Sequence, residues 1–204
     1  MTRLQRRGLL ACTLLSALSL YTTATAASVL AIDYGTDFIK ASLMKPGVAF
    51  DVLLNRDSKR KIAASIAWKG DERLFGTDAL NIVRISSSFT RVRAWADILP
   101  LTQAARFPSE SFSGLKLLQG VSFGSLQAGY HATLYPQLDV AESDRNTVAF
   151  RRKDGSIWSN EELVAMQLAY VKDLAEAVAA ENVRDAIVTV SSASASVSIT
   201  FVHL

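Results

Sequence analysis

Asp33, Gly35 and Thr36 follow directly on the apolar run Val29–Ile32 and precede a second apolar stretch, Phe38–Met44. This places an acidic residue at a strand end, ahead of a Gly-Thr turn. A carboxylate there can hold a hydrated Mg²⁺. Gly35 lets the backbone come close to a phosphate, where successive N–H groups form an anion-binding nest. Thr36 adds a hydroxyl donor. The chemistry that fits is the binding of a nucleotide triphosphate. The same apolar-Asp-x-Gly-Thr pattern also closes ordinary hairpins, so a plain turn is the competing reading.

Other reaction classes lack their residues. Cys12 is the only cysteine and it lies in the amino-terminal leader, so thiol catalysis, a Cys-ligated zinc and a thiol redox role are excluded. His131 and His203 are the only histidines and lie far apart, without the partners a His triad or a metal site requires.

The leader has the three parts of a secretory signal. Arg3, Arg6 and Arg7 form a basic region, Gly8–Leu20 an apolar one, and Ala24-Thr25-Ala26 a small-residue cleavage site. The apolar run falls short of the roughly 20 residues that span a bilayer. Residues 1–26 are therefore expected to be removed, leaving a chain with no membrane span. The net charge of +3 comes from 22 basic and 19 acidic residues. The leader carries three arginines and no acid, so the remainder is neutral and offers no nucleic-acid surface. Without cysteines, an exported chain must rely on a hydrophobic core, which its 50% hydrophobic content permits.

The elements that would position the turn read as β-strands at Val29–Ile32, Phe38–Met44, Val48–Leu54 and Ile62–Trp68. The turns between them fall at Tyr34–Asp37, Lys45–Gly47 and the charged run Asn55–Lys61, a solvated loop. Thr77–Ile82 opens a short helix. Ser159 and Glu162 form a capping box ahead of a helix over Glu161–Ala180. Val164, Leu168, Val171, Ala175 and Val178 share its inner face, widened by Leu163, Tyr170 and Leu174. An apolar strand, Ala186–Val190, follows. This order of strands and helix implies an α/β layer structure. Val83–Gln103 shows no sustained period. Ser191–Leu204 reads equally as a strand or a disordered tail.

Six stretches, in order, resemble the heat shock protein 70 family, above all its large endoplasmic-reticulum members, the glucose-regulated and hypoxia up-regulated-like chaperones. They are Ala31–Gly47; Asn55–Lys61 with Ile66–Trp68; Arg73–Ala79; Phe107–Phe112 with Leu115–Gly120; Glu161–Met166; and Ala186–Val190. The resemblance implies an actin-like (ribonuclease H-like) ATPase fold, with ATP and Mg²⁺ as ligands. Residues 27–190 would form part of its first lobe, 83–103 an atypical insertion and 191–204 a divergent tail. Asp33 would position Mg²⁺ through water, and Gly35, Thr36 and Asp37 would border the β- and γ-phosphates. Lys116 would place the attacking water and offset charge in phosphoryl transfer. On its own, Lys116 reads as a solvated helix lysine.

Asp37 departs from the family's second Thr. A carboxylate about 6 Å from a phosphate charge costs about 3 kcal/mol at an effective dielectric near 20 unless Mg²⁺ screens it. ATP binding is thus expected to survive more readily than fast hydrolysis. The implied function is a lumenal chaperone that assists folding and translocation of unfolded clients and serves as nucleotide exchange factor for the main lumenal chaperone. The family's second phosphate loop, adenine pocket and client-binding domain have no counterpart here, so the 204 residues alone are expected to bind ATP weakly. The two departing segments, 83–103 and 191–204, are read as gene-structure errors, a retained intron and a shifted end. The alternatives are a sugar-kinase-type phosphotransferase, which shares the Asp-x-Gly-Thr turn, and a secreted non-catalytic binding domain.

Overall fold

The computed structural model describes residues 28–47, 50–81, 108–191 and 197–203. The leader and Val83–Gln103 lie outside these residues. Alternation builds the central hairpin. In β1 (Val29–Tyr34), Leu30, Ile32 and Tyr34 are buried, and in β2 (Phe38–Met44), so are Ile39, Ala41 and Leu43. The pairs Leu30–Leu43, Ile32–Ala41 and Tyr34–Ile39 stack these side chains on one face. β11 (Asp185–Ser191) lies parallel to β1 and sets Ala186 and Val188 beside Leu30 and Ile32. Asp33 alternates onto the opposite, exposed face.

β3 is only Asp51–Val52, shorter than the expected Val48–Leu54, of which 48–49 lie outside the described residues. β12 (Val197–His203) pairs antiparallel with β11, so this part of Ser191–Leu204 is strand. The sheet order is β12-β11-β1-β2-β3, with β4 (Ile62–Ala63) also on β2.

The single strand expected over Ile62–Trp68 is two strands, not one. It breaks at Ala64, whose N–H donates to the Asp37 carbonyl at 2.9 Å. Beyond that point β5 (Ser65–Lys69) enters a second sheet between β6 (Glu72–Phe75) and β7 (Ser111–Ser113). β8 (Asp139–Glu142), β9 (Val148–Arg151) and β10 (Ile157–Ser159) make a third sheet.

The short helix α1 is Gly76–Leu80. α2 (Leu126–Leu134) is capped by Ser125, whose hydroxyl accepts the Ala128 N–H at 3.2 Å. α3 (Asn160–Ala179) starts on the expected capping box. Ser159 Oγ accepts from the Glu162 N–H, and the Glu162 carboxylate accepts from the Ser159 N–H at 2.8 Å. Its buried stripe runs Leu163, Val164, Gln167, Tyr170, Val171, Ala175 and Ala179. Val178, expected inward, is exposed, because the stripe of a straight helix at 3.6 residues per turn has rotated past it to Ala179. α3 covers the buried face of the β1–β2–β11 layer, so the fold is mixed α/β, with its core between helix and sheets.

The charged run is a solvated loop, as its composition implies. Asn55 is buried, and its Oδ1 accepts the N–H groups of Asp57 (2.9 Å) and Lys59 (2.8 Å), while residues 56–61 are exposed.

Candidate functional site

β1 and β11 run parallel, so both carboxyl ends open at one edge of the sheet, where ligands of open α/β sheets bind. Asp33 and Thr189 are register partners at that edge. The Thr189 hydroxyl lies 3.2 Å from Asp33 Oδ1 and 3.3 Å from the Ile32 carbonyl. Asp33 Oδ2 has no protein partner among the described residues.

The next residues turn tightly. The Gly35 N–H donates to the Phe38 carbonyl at 3.0 Å, and a Cβ on Gly35 would fall 2.4 Å from that oxygen. Glycine is required here by close approach. Its amide closes the hairpin, which leaves the N–H groups of Thr36 and Asp37 and the Thr36 hydroxyl without protein partners among the described residues. These three donors are what the turn can present to an anion.

Lys116 is not a solvated helix lysine. It sits half-buried in a 3₁₀ turn, Leu115–Leu118, which follows Gly114 in a left-handed conformation (φ 69°). Its Nζ donates to the Tyr34 carbonyl at 2.5 Å, so the ammonium lies against the turn that begins one residue later. The structure therefore brings Asp33, Gly35, Thr36, Asp37 and Lys116 together, although 82 residues separate Lys116 from Tyr34.

Two further residues belong to this neighbourhood. Thr189 is the lone polar residue in Ala186–Val190, a signal the sequence did carry. Tyr135, just after α2, has its hydroxyl pKa pushed up by burial and then by the Asp37 carboxylate. Nothing near Tyr135 in the sequence foreshadowed it. Beneath the turn, the Tyr34 hydroxyl donates to Gln167 Oε1 at 2.6 Å, and burial holds its pKa well above the ordinary tyrosine value.

These donors suit a magnesium polyphosphate. Among the described residues no three His, Cys, Asp or Glu side chains gather into a metal cage. A single carboxylate with one open oxygen instead matches Mg²⁺, which keeps several waters and takes phosphate oxygens as ligands. Asp33 would hold that ion through water. The Thr36 and Asp37 amides would face the phosphates, and Lys116 would offset their charge.

A carboxylate-and-amide turn at the end of a parallel strand pair, backed by a lysine from a distant segment, is chemically suited to a phosphate group. The chain belongs to the heat shock protein 70 family, in the subclass of its large members. It is 35% identical over 170 residues to heat shock protein 70 homolog lhs1 of Schizosaccharomyces pombe, covering 82% of this chain and 18% of that protein. It is 31% identical over 164 residues to hypoxia up-regulated protein 1 of Xenopus laevis, covering 80% of this chain and 22% of the relative. The human protein of that name is 26% identical over 164 residues, covering 14% of its own length. The matched stretch thus spans between 14% and 22% of the length of these relatives. No protein-family model matches it.

Proposed function

We propose that residues 27–190 form part of the first lobe of an actin-like ATPase domain, preceded by a secretory signal over 1–26, with 83–103 an insertion and 191–204 a divergent tail. The protein they belong to is an ATP-binding chaperone of the endoplasmic reticulum lumen. It assists the folding and translocation of unfolded clients and acts as nucleotide exchange factor for the main lumenal chaperone. The observation that carries this reading is the meeting of Asp33, the open amides of Thr36 and Asp37, and Lys116 at the carboxyl end of β1. Kinship with lhs1 and hypoxia up-regulated protein 1 supports the chaperone class and the lumenal location.

Mg²⁺-ATP, when bound here, would supply the transferable phosphoryl group together with the cation that offsets its charge. Asp33 would hold the ion through water by way of Oδ2, and the Thr36 and Asp37 amides would hold the phosphates. Lys116, held by the Tyr34 carbonyl, keeps two N–H donors for phosphate oxygen or water. The extra negative charge of Asp37 slows hydrolysis more than binding, because a nearby carboxylate opposes the negative charge that develops on the leaving oxygen during transfer.

One lobe binds nucleotide weakly, so the test must register weak binding. Amide NMR shifts are followed while Mg²⁺-ATP is titrated to millimolar concentration into the chain lacking residues 1–26. Saturable shifts at Thr36, Asp37 and Lys116 that vanish in Asp33→Ala are expected. A spectrum that stays unmoved would leave the second reading, a secreted binding domain in which Asp33–Thr36 only closes a hairpin. That reading draws on the Gly35–Phe38 hydrogen bond.

A further inference from the structure

We infer that Thr189 is a positioning residue for Mg²⁺ binding: its hydroxyl fixes the Asp33 carboxylate so that Oδ2 faces the phosphate turn. This deepens the proposed function and rests on it.

The argument begins with the strand. Ala186-Ile187-Val188-Thr189-Val190 is apolar but for Thr189. A hydroxyl in an apolar strand lowers burial without adding β propensity beyond what Val offers. Thr189 is the register partner of Asp33, and paired residues of neighbouring strands project to the same face. Its Oγ1 lies 3.2 Å from Asp33 Oδ1 and 3.3 Å from the Ile32 carbonyl. The single proton is thus shared between the two, or goes to the charged acceptor, which makes the stronger bond.

Asp33 is otherwise free to turn. It is exposed, its cross-strand neighbour Lys40 is exposed as well, and Thr189 is its one hydrogen-bond partner among the described residues. An exposed carboxylate with a free χ1 samples several staggered rotamers. A donor on Oδ1 selects one of them and leaves Oδ2 open. A metal that is held through water gains most from such preorganisation, because the carboxylate's ordering is then complete before the ion arrives. β-branched Thr suits the task, since its own χ1 is stiff in a strand.

Two measurements test this in the chain lacking residues 1–26, comparing Thr189→Val, which keeps the shape, with Thr189→Ser, which keeps the hydroxyl. The first needs no nucleotide: three-bond couplings across χ1 of Asp33. One rotamer is expected in the wild type and in Thr189→Ser, and averaged couplings in Thr189→Val. The second is ATP affinity by NMR titration, with Mg²⁺ and with EDTA. The gain conferred by Mg²⁺ is expected to fall about 10-fold in Thr189→Val, the lower end of what losing a hydrogen bond to a metal-holding side chain costs, and to persist in Thr189→Ser. Affinity in EDTA should stay unchanged.

Averaged Asp33 couplings already in the wild type would overturn the inference, whatever the nucleotide data. So would equal losses with Mg²⁺ and with EDTA, which mark a merely structural effect. A single Asp33 rotamer that needs Thr189, in a chain showing no ATP binding, would refute the functional reading and with it the role toward Mg²⁺.

Discussion

Lys116 Nζ donates to the main-chain carbonyl of Tyr34, one residue before the turn at Gly35. A lysine held by a backbone oxygen keeps its position without needing a carboxylate partner, so its positive charge is not neutralised locally. The turn is held from other sides as well. Ala64 donates to the Asp37 carbonyl, and Gly35 donates to Phe38. Two segments distant in the chain and one local bond thus hold a bend whose remaining amides meet no protein acceptor among the described residues. A site prepared in this way reorganises little when an anion arrives, and that lowers the cost of binding.

Gly35 is the position where this arrangement tolerates least. A methyl group there would sit 2.4 Å from the Phe38 carbonyl oxygen, a backbone atom that cannot rotate away. Gly35→Ala is expected to destabilise the fold by about 1–3 kcal/mol, the usual cost of overpacking. Urea unfolding measures this, and the amide shifts of Thr36–Phe38 should move with it. A stability equal to that of the wild type would show that the hairpin closes without the Gly35–Phe38 contact.

A different part of the layer makes stability depend on pH. His131 on α2 is 1% exposed, its Nε2 lies 3.0 Å from the Ser113 carbonyl, and its Nδ1 has no partner among the described residues. Burial lowers its pKa from 6.5, against a smaller opposing effect of the Ser113 carbonyl. The unfolded chain therefore binds this proton more readily than the folded one. The stabilisation is complete above the unfolded pKa and declines as pH falls below it toward the lowered folded value, by at most about 1.4 kcal/mol per pH unit. Urea midpoints between about pH 7.5 and about pH 5 should fall more steeply for the wild type than for His131→Gln. Parallel slopes would mean that carboxylates alone set the acid response.

How far the sequence reached can be judged from such residues. The hairpin was legible because the apolar runs Val29–Ile32 and Phe38–Met44 flank a Gly-Thr turn, although Tyr34, read as part of that turn, is the last residue of β1, and α3 because Ser159 and Glu162 mark its start. α2 left no such trace. Its inward residues are Ala128 and His131, while the large apolar Leu126 and Tyr130 face solvent, so no apolar stripe announces it. The strands from Asp139 to Ser159 are three or four residues long, too short to show a period. The break at Ala64 is tertiary in origin: Ile62–Trp68 is apolar but for Ser65, no Gly or Pro marks the break, and the switch of sheets accompanies the contact of Ala64 with Asp37. At the site, Asp33, Gly35 and Thr36 stood out because they are adjacent. The partnership of Thr189 with Asp33 joins residues 156 positions apart, and only folding reveals it.

The bond beneath the turn gives the most direct test of how α3 supports it. The Tyr34 hydroxyl donates to Gln167 Oε1 at 2.6 Å, both side chains are buried, and Gln167 Nε2 has no partner among the described residues. Burial raises the Tyr34 pKa, so the phenol stays a donor throughout the neutral range. Tyr34→Phe leaves the whole Gln167 amide unsatisfied in the core, and Gln167→Leu strands the Tyr34 hydroxyl. Each single change is expected to cost about 1–3 kcal/mol, the desolvation penalty of a lone buried polar group. The double change Tyr34→Phe with Gln167→Leu removes both polar groups together and should cost less than the sum of the two, with a coupling of at least about 0.5 kcal/mol. Strict additivity in urea unfolding would show that the two side chains do not act on each other in solution. Nonadditivity accompanied by shifts at the Thr36 and Asp37 amides would show that α3 props the phosphate turn through Tyr34.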